Sequence, residues 1–417
     1  MRLSVRCGEI YFITHINYME AFIVKALENV TVLDLTRVLA GPYTGMILAD
    51  FGANVIKIEA PGVGDDSRAF GPFIKDESTY FMSLNRGKKS ITLNLKKPEA
   101  KEIFKELVKQ ADVVLENYRT GTMEKLGIGY DEIKKINPKI IYSACTGFGH
   151  TGPYAFDPAY DVIVQGMGGI MSITGQEGGE PTRVGASVGD ITAGLFSAIG
   201  VMTALYVREK TGLGQKVDVG MLDCQVAILE NAIARYLNTG VSPKPIGNRH
   251  PSITPFESFK TSDGYVIIAI GNDTLWQKFC ALVDRDDLAK DERFTTNPLR
   301  TENQPALKEA LTPIFATRTV DAWITTLKEA GIPVGPINTV ERVINDPQVL
   351  SREMLVETEH PVAGKIKMAG VPIKLSETPG KVENPAPVLG QHNEEILKSM
   401  LGFDDAKIKA LHEEGVI

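Results

Sequence analysis

VTVLDLTRVLAGPYTGMILADFGANVIKIEAPG, residues 30–62, decides the fold class. Val30 to Leu35 is a branched apolar run of strand length. Gly41-Pro42 punctuates it, and apolar residues from Tyr43 to Phe51 recur at helical spacing. Asn54 to Glu59 reads as a second strand, closed by Ala60-Pro61-Gly62. The same alternation continues downstream. Ser90 to Leu95, Asp112 to Glu116 and Ile140 to Ala144 read as strands, and Glu99 to Gln110, Thr122 to Leu126 and Tyr130 to Ile136 as helices. Strands separated by helices of this length imply parallel βαβ units, hence an α/β protein with a doubly wound sheet.

After Gly147 the chain turns glycine-rich, and Ile191 to Lys210 reads as a long apolar helix with Ile191, Leu195 and Ile199 on one face. Lys216 to Met221 is extended, and Leu222 to Leu237 is a further helix. A Pro-rich break from Pro243 to Pro255 marks passage into a second lobe. That lobe holds a strand at Tyr265 to Ile270 and helices near 274–284, 304–316 and 319–330. GIPVGP (331–336) interrupts the pattern again, before strand-like runs at 364–375 and a helix at 392–401. The expected division is an extension at 1–26 that need not be native, a large α/β domain from 27–240 and 336–417, and a smaller α+β domain at 241–335.

Of 417 residues, 43% are hydrophobic and 23% charged, ordinary for a globular chain. A net charge of −7 argues against nucleic acid as the main partner, while leaving room for a local basic pocket. The four cysteines (Cys7, Cys145, Cys224, Cys280) form no CxxC pair, so reduced thiols and a cytoplasmic location are expected. Six histidines without HxxxH or HExxH spacing give no reason to expect a metal. No stretch approaches the roughly 20 uncharged apolar residues of a membrane span. Residues 1–18 make a poor signal peptide because Glu9 and His15 interrupt them.

The stretch with most chemistry is VGASVGDITAG, residues 184–194. Asp190 stands directly before the long helix. Read as structure, it is an N-cap that accepts a bond from an amide two or three residues on. Read as chemistry, it is an anion stabilised by the helix terminus and open to a bulky substrate across small neighbours, a candidate covalent nucleophile. The two readings are compatible, and spacing leaves both open. The glycine pairs at 168–169 and 178–179 are candidate oxyanion donors, with ordinary turn chemistry as the alternative.

Several separate stretches resemble the class III CoA-transferase family, which includes formyl-CoA transferase, carnitine CoA-transferase and the α-methylacyl-CoA racemases. They are LDLTRVLAGPYTGMILADFGANVIKIEAPGVGDDSR (33–68), SLNRGKKSITLNLK (83–96), ADVVLENYRTGTMEKLG (111–127), TGFGHTGP (146–153), REKTGLGQKV (208–217) and GIPVGPINTV (331–340). With the segment around Asp190, the resemblance runs from about Leu27 to the end of the chain. It implies an interlocked homodimer, with CoA and its acyl thioesters as substrates and no tightly bound cofactor. Asp190 would be the nucleophile, forming an aspartyl anhydride and then an aspartyl-CoA thioester. CoA would meet Val38, Leu39 and Ala40 after the first strand, Leu93, Asn94 and Lys96 after the third, and Asn117, Tyr118 and Lys125 after the fourth. Such positions lie at the carboxyl ends of parallel strands, where open α/β sheets hold ligands. Each lysine taken singly also fits a solvated surface residue.

Three departures narrow the choice. Formyl-CoA transferases carry Gln at the position of Leu39 and Arg at that of Ala60, so the pocket here differs. Racemases carry His at the position of Tyr160, and a phenol titrating near 10 replaces it poorly as an acid/base at neutral pH. PIGNRHPSITPFESF (245–259) and AIGNDTLW (269–276) look like the acetyl-CoA:oxalate and succinyl-CoA:dicarboxylate members. Arg249 and His250 would then hold a second carboxylate, or else form a turn with solvated tips. The resemblance therefore implies CoA transfer from acetyl-, succinyl- or formyl-CoA to a small, dicarboxylic acid. A racemase or epimerase, and a non-catalytic CoA-binding protein whose Asp190 is only a cap, are the rival readings.

Overall fold

A computed structural model describes residues 24–417. Cys7 and most of the expected extension at 1–26 lie outside the described residues. Six parallel strands form one sheet, in the spatial order Lys89–Thr92, Asn54–Glu59, Thr31–Asp34, Val113–Glu116, Ile141–Thr146 and Lys216–Gly220. Leu33 pairs with Ile56 on one side and Val114 on the other. The central strands read as unbroken apolar runs because both faces are covered, as parallel sheets require. On one face Leu33, Ile56, Ile91, Val114 and Tyr142 pack against Phe104 and Leu107 of helix Pro98–Val108. Ile396 and Leu411, from the two last helices, join the same core. On the other face Val32, Val55, Val113 and Ile141 meet Leu48 of helix Ala40–Asp50 and Val201 and Leu205 of helix Val188–Thr211.

A second core lies among residues 259–332. A three-stranded antiparallel sheet, Val334–Pro336, Tyr265–Ala269 and Phe256–Lys260, backs helices Asp273–Leu282, Gln304–Phe315 and Val320–Glu329. Phe315 stacks on Phe259 at 4.5 Å and leans on Trp323 at 4.9 Å. Arg300 is fully buried, donating to the carbonyls of Thr254 and Phe294 and pairing with Asp273 at 2.7 Å. Residues 331–336 do more than interrupt this lobe, because Val334–Pro336 is one of its strands.

Three other expectations are corrected. The long helix begins at Val188 and ends at Thr211, so Asp190 sits inside its first turn and Ser187 takes the cap position. The expected helix Leu222 to Leu237 is two, Met221–Ile228 and Asn231–Thr239, broken where Glu230 takes φ 36°. Val188–Thr211 is also long and apolar enough to cross a membrane by length and composition, contrary to the expectation that no stretch is. Half of its most apolar window is buried against the sheet and the first helix.

A buried ionic network fastens the loops at the carboxyl ends of strands Thr31–Asp34 and Asn54–Glu59. Lys57 pairs with Asp65 at 2.8 Å and donates to the Thr36 carbonyl at 2.7 Å. Lys88 pairs with Asp34 at 2.8 Å and donates to the Pro42 carbonyl and Asn85. Arg68 grips Glu59 with two bonds of 2.7 Å. Burial pushes against charge at each site. Lys57 nonetheless holds the Asp65 carboxyl well below the usual range, whereas desolvation wins at Lys88, pushed down to about 8 despite Asp34. Removing one member of a buried pair costs about 3–5 kcal/mol, because the remaining charge is stranded. Lys57→Met should therefore lower stability by about that amount, read as a lower urea midpoint by circular dichroism. An unchanged midpoint would show that the network is dispensable.

Candidate active site

The first strand delivers Val38, Leu39 and Ala40 to the sheet's carboxyl edge. Val38 is held at φ 69°, rare for a branched residue, while its amide donates to Asp65 at 3.0 Å. Leu39 caps the first helix and Ala40 opens it. That helix lies against the long helix at backbone distance, since a Cβ on Gly194 would come within 2.7 Å of the Ala40 carbonyl. Thr44 donates to the Gly194 carbonyl at 3.0 Å and locks the crossing. Gly194 is one turn beyond Asp190, so Val38 to Ala40 and Asp190 belong to one corner of the molecule.

Asp190 is partly buried. Burial first, and then the like charge of Asp161, push its carboxyl up to about 7. The helix start lowers the energy of the anion, but desolvation and Asp161 outweigh it. Asp161 opens the short helix Asp161–Met167, with Tyr160 exposed at its cap position. The Gly189 amide donates to Asp161 Oδ1 at 2.8 Å, so the turn carrying Asp190 is bonded to the residue that repels its charge.

Tyr80 was not singled out by sequence. It stands close enough to Asp190, Asp65 and Asp161 that, after burial, their charges help to push its phenol up to about 12. Its helix, Thr79–Leu84, is separated from Asp190 by more than a hundred residues, and no motif links the two. Cys145 and Cys224 are buried beside the long helix in the same small core as Ala40.

The other expected ligands are spread along the sheet edge. Asn117 bridges to the first loop, accepting from the Arg37 amide at 2.8 Å and donating to its carbonyl at 2.7 Å. Tyr118 lines a cavity of about 260 Å³ with Arg37, Lys57, Ala60 and Asp65. Leu93 is buried in the main core, and Asn94 takes its place in a turn tied to the Val416 carbonyl at 2.8 Å. Lys96 and Lys125 are exposed. Arg249 and His250 sit on the far side of the glycine-rich loop, where Arg249 pairs with Glu177 at 3.2 Å. His250 accepts from the Ser252 amide and packs on Phe256. Arg249 lines a different neighbourhood, a cavity of about 480 Å³ that it shares with Gln304 and Lys308.

The glycine amides proposed as oxyanion donors are mostly committed elsewhere. Gly168 donates to Val164, Gly169 to Gly166 and Gly179 to Gln176, which is turn and helix-end chemistry. Among the described residues no three His, Cys, Asp or Glu side chains converge as metal ligands.

The profile of CoA-transferase family III matches residues 27–393. This chain belongs to that family. It is 43% identical to the succinyl-CoA:glutarate CoA-transferase of Mus musculus over 94% of its length and 90% of that protein's. To the acetyl-CoA:oxalate CoA-transferase of Acetobacter aceti it is 44% identical, over 89% of its length and 95% of that protein's. The crystal structure of a CAIB/BAIF family protein from Brucella suis superposes with a TM-score of 0.82 at 41% identity, covering 90% of this chain and 99% of that one. The protein is a CoA-transferase.

The raised carboxyl gives this transferase a pH signature in its stability. A group whose folded value exceeds its unfolded one contributes stability fully below the unfolded value, near 4, and loses it as pH rises through about 7. Asp190→Asn removes that dependence without changing shape. The variant should melt above wild type, with a gap that widens from about pH 5 to about pH 8 in scanning calorimetry. A gap that stays constant would mean that Asp190 is not desolvated.

Proposed function

We propose that this transferase moves CoA reversibly between a short acyl-CoA, succinyl- or acetyl-CoA, and a small dicarboxylic acid, with Asp190 as covalent nucleophile. The observation that carries the assignment is a partly buried carboxylate in the first turn of the long helix, flanked by Gly185, Ala186 and Gly189, beside the loop Val38 to Ala40. The substrate class follows the printed names of the relatives. An Asp190 oxygen attacks the donor thioester carbonyl, the C–S bond breaks, and CoA leaves as the thiolate from a mixed anhydride. The thiolate then attacks the aspartyl carbonyl, releasing the donor acid and leaving an aspartyl-CoA thioester. Acceptor carboxylate displaces the thiolate to form a second anhydride. Return of the thiolate to the acceptor's acyl carbon frees the new acyl-CoA and restores Asp190. CoA is substrate throughout, and no tightly held cofactor enters.

In this reading CoA lies along the strand ends, its adenosine half toward the Tyr118 cavity with Lys96 and Lys125 at the phosphates, and Leu93, Asn94 and Asn117 shape the floor. Tyr160 flanks the thioester, and Arg249 exchanges Glu177 for the acceptor's distal carboxylate. The racemase alternative loses support at Tyr160, where its acid/base histidine is missing. A binding protein with Asp190 as a mere cap loses support because Ser187 holds the cap position.

The working unit in this proposal is an interlocked homodimer in the cytoplasm, each protomer divided into a large domain (27–240 with 336–417) and a small one (241–335). Exposed Leu195, Phe196 and Ile199 on the long helix, with exposed Ile163 and Met167 on the helix 161–167 packed against it, form an apolar face of the kind that a partner covers. Free, buried Cys145, Cys224 and Cys280 suit a reducing compartment.

Intact-mass measurement after incubation with succinyl-CoA or acetyl-CoA, followed by hydroxylamine, tests the mechanism. Wild type should gain an acyl or CoA adduct that becomes a hydroxamate at Asp190, and Asp190→Ala should gain none. Absence of any adduct on wild type with every donor would overturn covalent transfer.

A further inference from the structure

Asp161 and Gln165 stand one turn apart on the short helix 161–167, both buried, with Gln165 fully so. Three hydrogen bonds run through them in series. The Gly189 amide donates to Asp161 Oδ1 at 2.8 Å, Gln165 Nε2 donates to Asp161 Oδ2 at 2.8 Å, and the Val184 amide donates to Gln165 Oε1 at 2.9 Å. Val184 and Gly189 are the two ends of VGASVG, the segment that leads into Asp190. That segment is thus stapled at both ends to one helix. It also lies hard against it, since a Cβ on Gly189 would come within 2.7 Å of Val164 and 2.9 Å of Asp161. On its other side Gln225 donates to Thr192 at 3.1 Å, two residues beyond Asp190.

The polarity of the series is fixed at both ends by backbone N–H groups, which only donate. Both ends need acceptors, so the two side chains between them must supply acceptors outward and one donor–acceptor pair inward. A carboxylate facing a carboxamide meets that condition. Two ionised carboxylates do not, and neither do two carboxamides: one nitrogen would then face an N–H. We propose that Asp161 and Gln165 are positioning residues that set where Asp190 stands for attack on the thioester. Their requirement is for one acid and one amide, in either order. This inference rests on Asp190 being the nucleophile.

The test is a swap. Asp161→Asn places like groups opposite each other and loses one bond of the three, and Gln165→Glu does so once both carboxyls are ionised, so the variants are compared at alkaline pH. The double variant Asp161→Asn/Gln165→Glu restores all three with the inner bond reversed. Each single variant should lower kcat on the order of tenfold or more, while the KM for succinyl-CoA changes by less than about threefold, because misplacing a reacting group by a fraction of an ångström acts on attack. In the double variant, kcat should return to within about threefold of wild type, and the two changes should be strongly non-additive. The rate of hydroxamate formation at Asp190 should follow the same order, in proteins shown by circular dichroism to be folded at the assay temperature. Single variants with wild-type kcat, or a double variant no better than the product of the singles, would overturn the proposal. If Asp161→Asn is too unstable to assay, the double variant decides alone: near wild-type turnover supports the staple, and failure to fold or turn over overturns it. Failure of the underlying reading looks different, since wild type itself would then show no hydroxamate at Asp190.

Discussion

The ion pairs Lys57–Asp65 and Lys88–Asp34 are the constraint on which the active corner depends. Both cations are fully buried, and burial of a charge is tolerated only where geometry and further hydrogen bonds offset desolvation. Here the offset comes from loops. Asp65 accepts from the Val38 and Ser67 amides, and Lys57 and Lys88 donate to the Thr36 and Pro42 carbonyls. The network therefore converts the cost of internal charge into a fixed path for residues 34–42. Val38 keeps its unfavourable φ because Asp65 holds its amide, and the first helix starts where that loop ends. Gly45 lets the Asp34–Lys88 pair pass under this helix, as a Cβ there would come within 2.7 Å of the Asp34 carboxylate.

From that fixed loop the geometry passes to Asp190 through a close helix crossing. Ala40 and Gly194 meet without side chains between them, so the first turn of the long helix is indexed to the strand ends. Asp161 and Gln165 fix the same turn from the opposite side. A carboxylate built this way sits on regular secondary structure rather than on a free loop, and its position relative to the strand ends is fixed.

Much of the parallel sheet was legible in the sequence because its strands are short apolar runs separated by periodic helices. Asn54–Glu59 and Thr122–Leu126 fall where the pattern puts them. Regions without strong periodicity were harder to read. The short helix 161–167 was missed, since three glycines in four residues (166–169) mask its end, and the break at Glu230 depends on a backbone angle that no propensity indicates. At the site, Asp190 was legible as a residue but not as a position. Its assignment to a cap failed because Val188 and Gly189 join the helix, held there by Asp161. Tyr80 and Gln165 could not be found from spacing, because what makes them neighbours of Asp190 is the tertiary path of the chain.

The long helix has two lives. Its inner surface, through Gly194, Ser197 and Val201, is seated in the protein, while Leu195, Phe196 and Ile199 point outward from the same turns. Any load applied to that outer surface reaches the carboxylate through less than three turns of rigid backbone. A partner that bent or braced this one rod would therefore retune the site without touching it.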